Sequence, residues 1–218
     1  MSITRQQIQD DVLAYLNRAG DTTLLEATWF VFAHRAIQQL HNFKAMELTA
    51  SITLVSGTDE YTAPTGLKKP ITAYFYKTST GKVVKFLNKT NVQTLRQRRL
   101  DTADVTNIIS EDYETFLYEW YAGQILIWPP VVNIISTADK LRLDTYTFLE
   151  PPAVGASDWF TDNARDYLMY ASLLESVPFL GAPADRIKTW REASDAAFRR
   201  IMGFDLDAAI DGPLQIRG

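Results

Sequence analysis

The stretch Asp158 to Leu180, DWFTDNARDYLMYASLLESVPFL, limits the possible folds more than any other part of the chain. At helical spacing it carries two offset stripes, Leu168, Ala171, Ser172 and Glu175 against Tyr167, Tyr170, Leu174 and Val177. Together they leave little polar circumference, so this helix needs protein on more than one side. Ser157, Asp158 and Thr161 are available as N-terminal caps, and Pro178 is expected to stop a helix running from about Asp162 to Val177.

The partners for such a helix lie at the two ends of the chain. Thr4 and Gln7 stand at capping-box spacing before an amphipathic stripe of Ile8, Val12, Tyr15 and Leu16, which ends at Ala19-Gly20-Asp21. Thr23 and Glu26 repeat the spacing ahead of a second helix to about His41, with Leu25, Trp29, Phe32, Ala33, Ala36, Ile37 and Leu40 as its apolar face. After Gly181 and Pro183 a last helix is expected over 184–202, with Ile187, Trp190, Ala197, Phe198 and Ile201 inward and Gly203 as its stop.

Between these helices the hydrophobic period drops from 3.6 to 2. Met46 to Leu54 alternates as a half-buried strand, followed by a turn at Ser56 to Asp59 and a short return at Glu60 to Thr62. ITAYFYK (71–77) and KVVKFL (82–87) flank Thr78-Ser79-Thr80-Gly81 as a hairpin. Thr90 is placed to cap a short helix, about Asn91 to Arg99, anchored only by Val92 and Leu95. A second hairpin spans Phe116 to Trp128, ended by Pro129-Pro130, and Lys140 to Leu149 reads as the closing strand, with Leu141 and Leu143 inward and Arg142 and Asp144 outward. The fold class is therefore α+β: an antiparallel helical bundle of two N-terminal and two C-terminal helices (1–43 and 156–203) with an inserted antiparallel β domain (44–155). A tail, 204–218, is expected to be extended.

Charge is segregated along the chain. Nine basic residues lie between Tyr61 and Leu100 with no acidic residue among them, whereas Asp101 to Ile135 holds six acidic residues and no Lys or Arg. Three arrangements satisfy this: a nucleic-acid surface with an acidic counterpart, a head-to-tail assembly of basic on acidic faces, or pairing within the chain. The net charge of -4 gives no general attraction to nucleic acid or anionic membranes. Tyr74, Phe75, Tyr76 and Phe86 among the lysines define the alternative function, a single-stranded nucleic-acid binding module using this basic aromatic region.

Catalytic motifs are lacking. With 0 cysteines the chain offers no disulfide, thiol nucleophile or Cys-ligated metal. No glycine belongs to a phosphate-cradling loop, no GxSxG elbow occurs, and His34 and His41, seven apart, lack an HExxH context and are read as facing solvent or a partner. Neither cofactor nor metal ligand is expected, and no enzyme. The N-terminus has no leader character and no run approaches the ~18 apolar residues of a membrane span, so the chain is expected to stay in the compartment that makes it.

Gly123-Gln124-Ile125-Leu126-Ile127-Trp128-Pro129-Pro130, the strand Lys140 to Tyr146 and the helix entered through Asp158-Trp159-Phe160 and left through Leu174 to Leu180 together resemble the head-to-tail adaptor (connector) proteins of tailed bacteriophages, of the short-tailed phage type. Leu48 to Tyr61, with the Tyr61 to Pro64 exit, resembles the same family. The resemblance implies a structural virion protein at the head–tail junction, assembled in the host cytoplasm as a dodecameric ring. Its implied partners are other copies of itself, the portal protein, a tail or nozzle protein, and genomic DNA passing through the channel without sequence recognition; no membrane is involved. On that footing Phe204, Leu206, Ile210, Leu214 and Ile216 of the tail are expected to dock on the portal. Lys82, Lys85, Lys89, Arg96, Arg98 and Arg99 of one subunit are expected to meet Asp101, Asp104, Glu111 and Asp112 of the next, away from a lumen that favours neutral or acidic walls.

Overall fold

The structure is a computed structural model that describes residues 2–20, 26–101, 116–130 and 139–210. It divides into two compact units, one built from Met1–Ala45 with Leu149–Gly218 and the other from Met46–Phe148.

The first unit is helical. It holds α1 (Arg5–Tyr15), α2 (Glu26–Leu40), α4 (Trp159–Asn163), α5 (Arg165–Leu180) and α6 (Ala184–Ile210), while α3 belongs to the second unit. The capping box expected at Thr4 and Gln7 forms, with the Gln7 N–H donating to Thr4 Oγ1 at 3.3 Å and the Thr4 N–H donating to Gln7 Oε1 at 2.9 Å. α5 packs against α1, α2 and α6, and its wide apolar surface is met within the chain. Val12, Trp29, Leu173 and Trp190 form a buried cluster against which Tyr170, Leu174 and Val177 pack, and Tyr167 meets Phe198 of α6 with ring centroids 5.9 Å apart. Burial, with Asp195 and Glu175 adding to it, pushes the Tyr167 hydroxyl up to about 12, so it stays protonated in this core.

The stretch read as one helix is two. Asp158 caps α4, accepting the Thr161 N–H at 2.8 Å, and the chain breaks at Ala164 before α5 begins. Pro178 does not stop α5. The proline removes a single N–H, and the helix runs on to Leu180, where Gly181, at a positive φ of 66 that glycine tolerates, ends it and donates its N–H to Val177 O at 2.9 Å. Likewise α6 passes through Gly203 to Ile210, so 204–210 is helical rather than extended. A mid-helix glycine costs about 1 kcal/mol relative to alanine, and the helix continues past Gly203 with Ile201 and Asp205 buried on either side of it.

His34 corrects the surface reading of the histidines: it is fully buried, with Phe30 stacked at 5.9 Å and Phe160 edge-on at 5.3 Å. Gln38 Oε1 accepts the Leu149 N–H at 2.7 Å, which turns its amide nitrogen toward Leu149 O and His34 Nδ1, both at 3.0 Å. His34 Nδ1 is thereby the acceptor, and His34 Nε2 donates to Asp158 Oδ2 at 2.7 Å. One buried network thus ties α2 to the start of α4 and to the strap that precedes it.

The second unit is a seven-stranded sheet in the order β1-β7-β3-β4-β5-β6-β2, comprising β1 (Glu47–Thr53), β2 (Glu60–Thr62), β3 (Leu67–Lys77), β4 (Lys82–Lys89), β5 (Phe116–Tyr121), β6 (Gln124–Trp128) and β7 (Lys140–Thr147). β1 and β2 are consecutive in sequence yet occupy opposite ends of this order. The short turn between them therefore obliges the sheet to curl until its edges approach. Tyr61 Oη donates to Val55 O at 3.2 Å and to Thr58 O at 3.0 Å, clamping that turn. Leu54, Tyr61, Ala73, Phe75, Phe116, Ile125, Ile127, Leu141 and Leu143 are among the residues filling the enclosed face.

Four expectations change here. β7 is not the closing strand but lies between β1 and β3. Glu60 to Thr62 pairs with β6, not with β1. The domain is not wholly antiparallel, because β4 and β5 run parallel over Leu87–Lys89 and Phe116–Tyr118. The connection between them contains α3 (Val92–Asp101), and a parallel pair requires such a crossover. Asn91, not Thr90, caps α3, accepting the Thr94 N–H at 2.8 Å, while the Thr90 N–H donates to Tyr118 O. Leu95 and Val92 anchor it on Leu126 and Trp128 as expected.

The His34 network generates a prediction. Burial pushes the Asp158 carboxyl up, but the bonds from His34 and Thr161 outweigh this and hold it below the ordinary carboxylate range. A group with a lowered folded pKa contributes stability that is fully present above its unfolded pKa and lost as pH falls through the folded value. Asp158→Ala, which removes a cap and orphans the buried His34 Nε2–H, should cost about 2–4 kcal/mol at neutral pH in urea unfolding. The gap to the native protein should narrow as pH drops below about 4.

Candidate functional site

Two surfaces stand out among the described residues. The first is the end of α6. Trp190, Ser194, Ala197 and Ile201 face inward, and the next residue on that stripe is Asp205, which is 7% exposed. Its Oδ1 accepts the Lys44 N–H at 2.9 Å and its Oδ2 lies 3.0 Å from His41 Nε2, so the turn after α2 holds this end of α6. Because Asp205 points in, Phe204 and Leu206 on either side point out, 65% and 56% exposed. Ile210 is the last residue of α6, and Leu214 and Ile216 lie outside the described residues. Beside Phe204 a cleft of about 280 Å³ is lined by Ile3, the α4–α5 junction, Ala197, Arg200 and Ile201. Its charged side chains are engaged: Arg200 reaches Asp166 at 3.3 Å, Arg165 reaches Asp11 outside the cleft at 2.6 Å, and Asp162 accepts the backbone N–H of Ile3 at 2.7 Å.

The second surface belongs to the sheet. Lys82, Lys85 and Lys89 lie on β4, and Arg96, Arg98 and Arg99 on α3, which follows it. Arg96 lies over the Tyr121 ring at 5.6 Å and Arg98 over Trp128 at 5.7 Å, so aromatic faces of the same unit already engage these two cations. Asp101 ends α3; Asp104, Glu111 and Asp112, expected opposite them, lie outside the described residues.

The aromatics of the β3–β4 hairpin divide. Phe75 is in the core, edge-on to Phe116 at 4.9 Å, whereas Tyr74 and Tyr76 face outward with Phe86. Tyr74 and Phe86 pair at 5.6 Å, and the Arg142 guanidinium sits 3.4 Å from the centre of the Tyr76 ring. Asp144 accepts hydroxyls from Thr49 at 2.7 Å, Thr72 at 2.8 Å and Tyr74 at 3.4 Å. Burial first, and Asp144 after it, raise the Tyr74 hydroxyl above its ordinary value despite nearby Arg142. The outward setting of Arg142 and Asp144 follows from alternation; their meeting with Tyr74 and Tyr76 depends on strand order, which alternation leaves open. Among the described residues no group of His, Asp and Glu is arranged to hold a metal, and no helix is long and apolar enough to cross a membrane.

The chain thus joins a helical unit, whose last helix displays Phe204 and Leu206, to a unit made of a curled seven-stranded sheet. The model of the SU10 adaptor protein family matches residues 3–217, and the chain belongs to that family. This bears out the resemblance to phage head–tail adaptors read from Gly123 to Leu180. No curated protein matches the chain.

The Asp205 clamp can be tested directly. Asp205→Ala should cost about 1–3 kcal/mol and selectively raise hydrogen exchange over 203–210, leaving the sheet's exchange unchanged.

Proposed function

We propose that this protein is a structural adaptor of the virion: a ring-forming subunit, twelve to the ring, that joins the portal to the tail and continues the DNA channel. Membership of an adaptor family across residues 3–217 carries this reading. Its partners are then copies of itself, the portal, a tail or nozzle protein, and DNA that passes without sequence recognition. We assign no catalytic role.

Portal docking falls to the C-terminal arm, 204–218, through Phe204, Leu206, Ile210, Leu214 and Ile216. Support comes from the exposure of Phe204 and Leu206 beside a side chain that holds the helix in place. A preordered helix end followed by a short arm reduces the ordering entropy that binding must overcome. Ring contacts fall to Lys82, Lys85, Lys89, Arg96, Arg98 and Arg99 against Asp101, Asp104, Glu111 and Asp112 of the neighbouring copy. Exposed pairs contribute only ~0–1 kcal/mol each, so this contact sets register more than affinity.

Electron microscopy of the protein mixed with portal rings tests the reading: closed rings of adaptor on portal are expected, and their absence at saturating adaptor would overturn it. Phe204→Ser with Leu206→Ser should abolish attachment while leaving the melting temperature within about 2 °C, since both side chains are exposed. Lys82→Glu with Lys85→Glu should weaken ring closure, with a larger effect at low salt.

A further inference from the structure

The outward face of the sheet has a composition that neither ring assembly nor portal docking requires. Opposed residues of an antiparallel pair share a face. The pairings Tyr76↔Lys140, Tyr74↔Arg142 and Tyr74↔Phe86 therefore set three rings and two cations on one surface spanning β4, β3 and β7. Phe86 is 56% exposed and makes no part of the enclosed core. Arg142 stacks on Tyr76, and its Nε is buried without a hydrogen-bond partner among the described residues. Asp144, the one acidic residue paired into this patch, has its oxygens engaged by three hydroxyls. The adjoining Tyr61 to Leu100 segment carries nine cations and no acid.

We propose that this face binds single-stranded nucleic acid, with bases stacking on Phe86 and Tyr74 and the phosphate backbone tracking Arg142 and Lys140. Every base has a π-face, so such a platform is tolerant of sequence, and its cations answer the charge of the strand. A symmetric contact with a second copy fits less well, because it would set like charges against each other, and the head-to-tail ring contact is assigned to other residues. The proposal stands apart from the adaptor reading, since portal attachment is a different surface and a different measurement.

Fluorescence anisotropy with the full-length protein decides it, using a labelled oligothymidine of about 20 residues and a duplex of the same length. The single strand should bind at least fivefold more tightly than the duplex, whose bases are already stacked. Its affinity should fall about tenfold between about 50 and about 200 mM salt, as expected for two or three phosphate contacts. Phe86→Leu, which keeps an apolar side chain and removes the ring, should weaken binding at least fivefold, and Arg142→Gln should weaken it and flatten the salt dependence. Absence of oligothymidine binding overturns the proposal, as does duplex bound equally well or native affinity in both variants. If instead the variants shift the sedimentation coefficient and leave oligothymidine binding unchanged, the face belongs to another copy of the chain and the proposal fails.

Discussion

The bond from His34 to Asp158 is the contact on which the helical unit depends. It joins residues 124 positions apart, so it holds the N-terminal helices to the segment that returns from the sheet. Asp158 serves twice: its Oδ1 caps α4 and its Oδ2 receives the imidazole. Gln38 fixes the imidazole in the orientation that makes this possible, through its bonds to Leu149 and to His34. Arg5 secures the same strap from α1, donating to Pro152 O at 3.0 Å, with its guanidinium over the Phe30 ring at 5.2 Å. His34 and Gln38 are fully buried, where an unpartnered polar group is costly, and the bonds to Asp158, Leu149 and each other engage them.

The sheet is a compact unit of its own, Met46–Phe148. Its curl follows from connectivity: consecutive strands placed at opposite ends of the order force the two edges toward each other. A curled sheet encloses one face as a core and leaves the other to solvent, which is why the same β3 strand buries Phe75 and displays Tyr74 and Tyr76.

Legibility differed by kind of feature. The helices, the β3–β4 hairpin and the anchors Val92 and Leu95 follow from periodicity, because local spacing determines which side chains share a face. The surplus apolar surface of α5 is equally legible, and so are its partners within the chain: Tyr15 of α1 meets Tyr170, Phe198 of α6 meets Tyr167, and Trp190 joins the cluster around Leu173. Asp205 was hidden because a polar residue on an apolar stripe, two positions after a glycine, carries the local marks of a helix that has ended. Of the candidate contact residues, Phe204 and Leu206 were recognisable as apolar and out of place, whereas Arg142 gained its meaning only from the strands on either side.

The sequence by itself determined the alternation of helical and strand periods, the segregation of charge, the absence of cysteine chemistry and the membership of an adaptor family, since these are properties of residue order and composition. Tertiary structure alone decided that β7 lies inside the sheet, that β4 and β5 run parallel, that His34 is a core residue and that α6 passes its glycine. Each of these rests on a contact between residues far apart in the chain. Its free energy depends on which distant groups arrive together, and no local pattern records that.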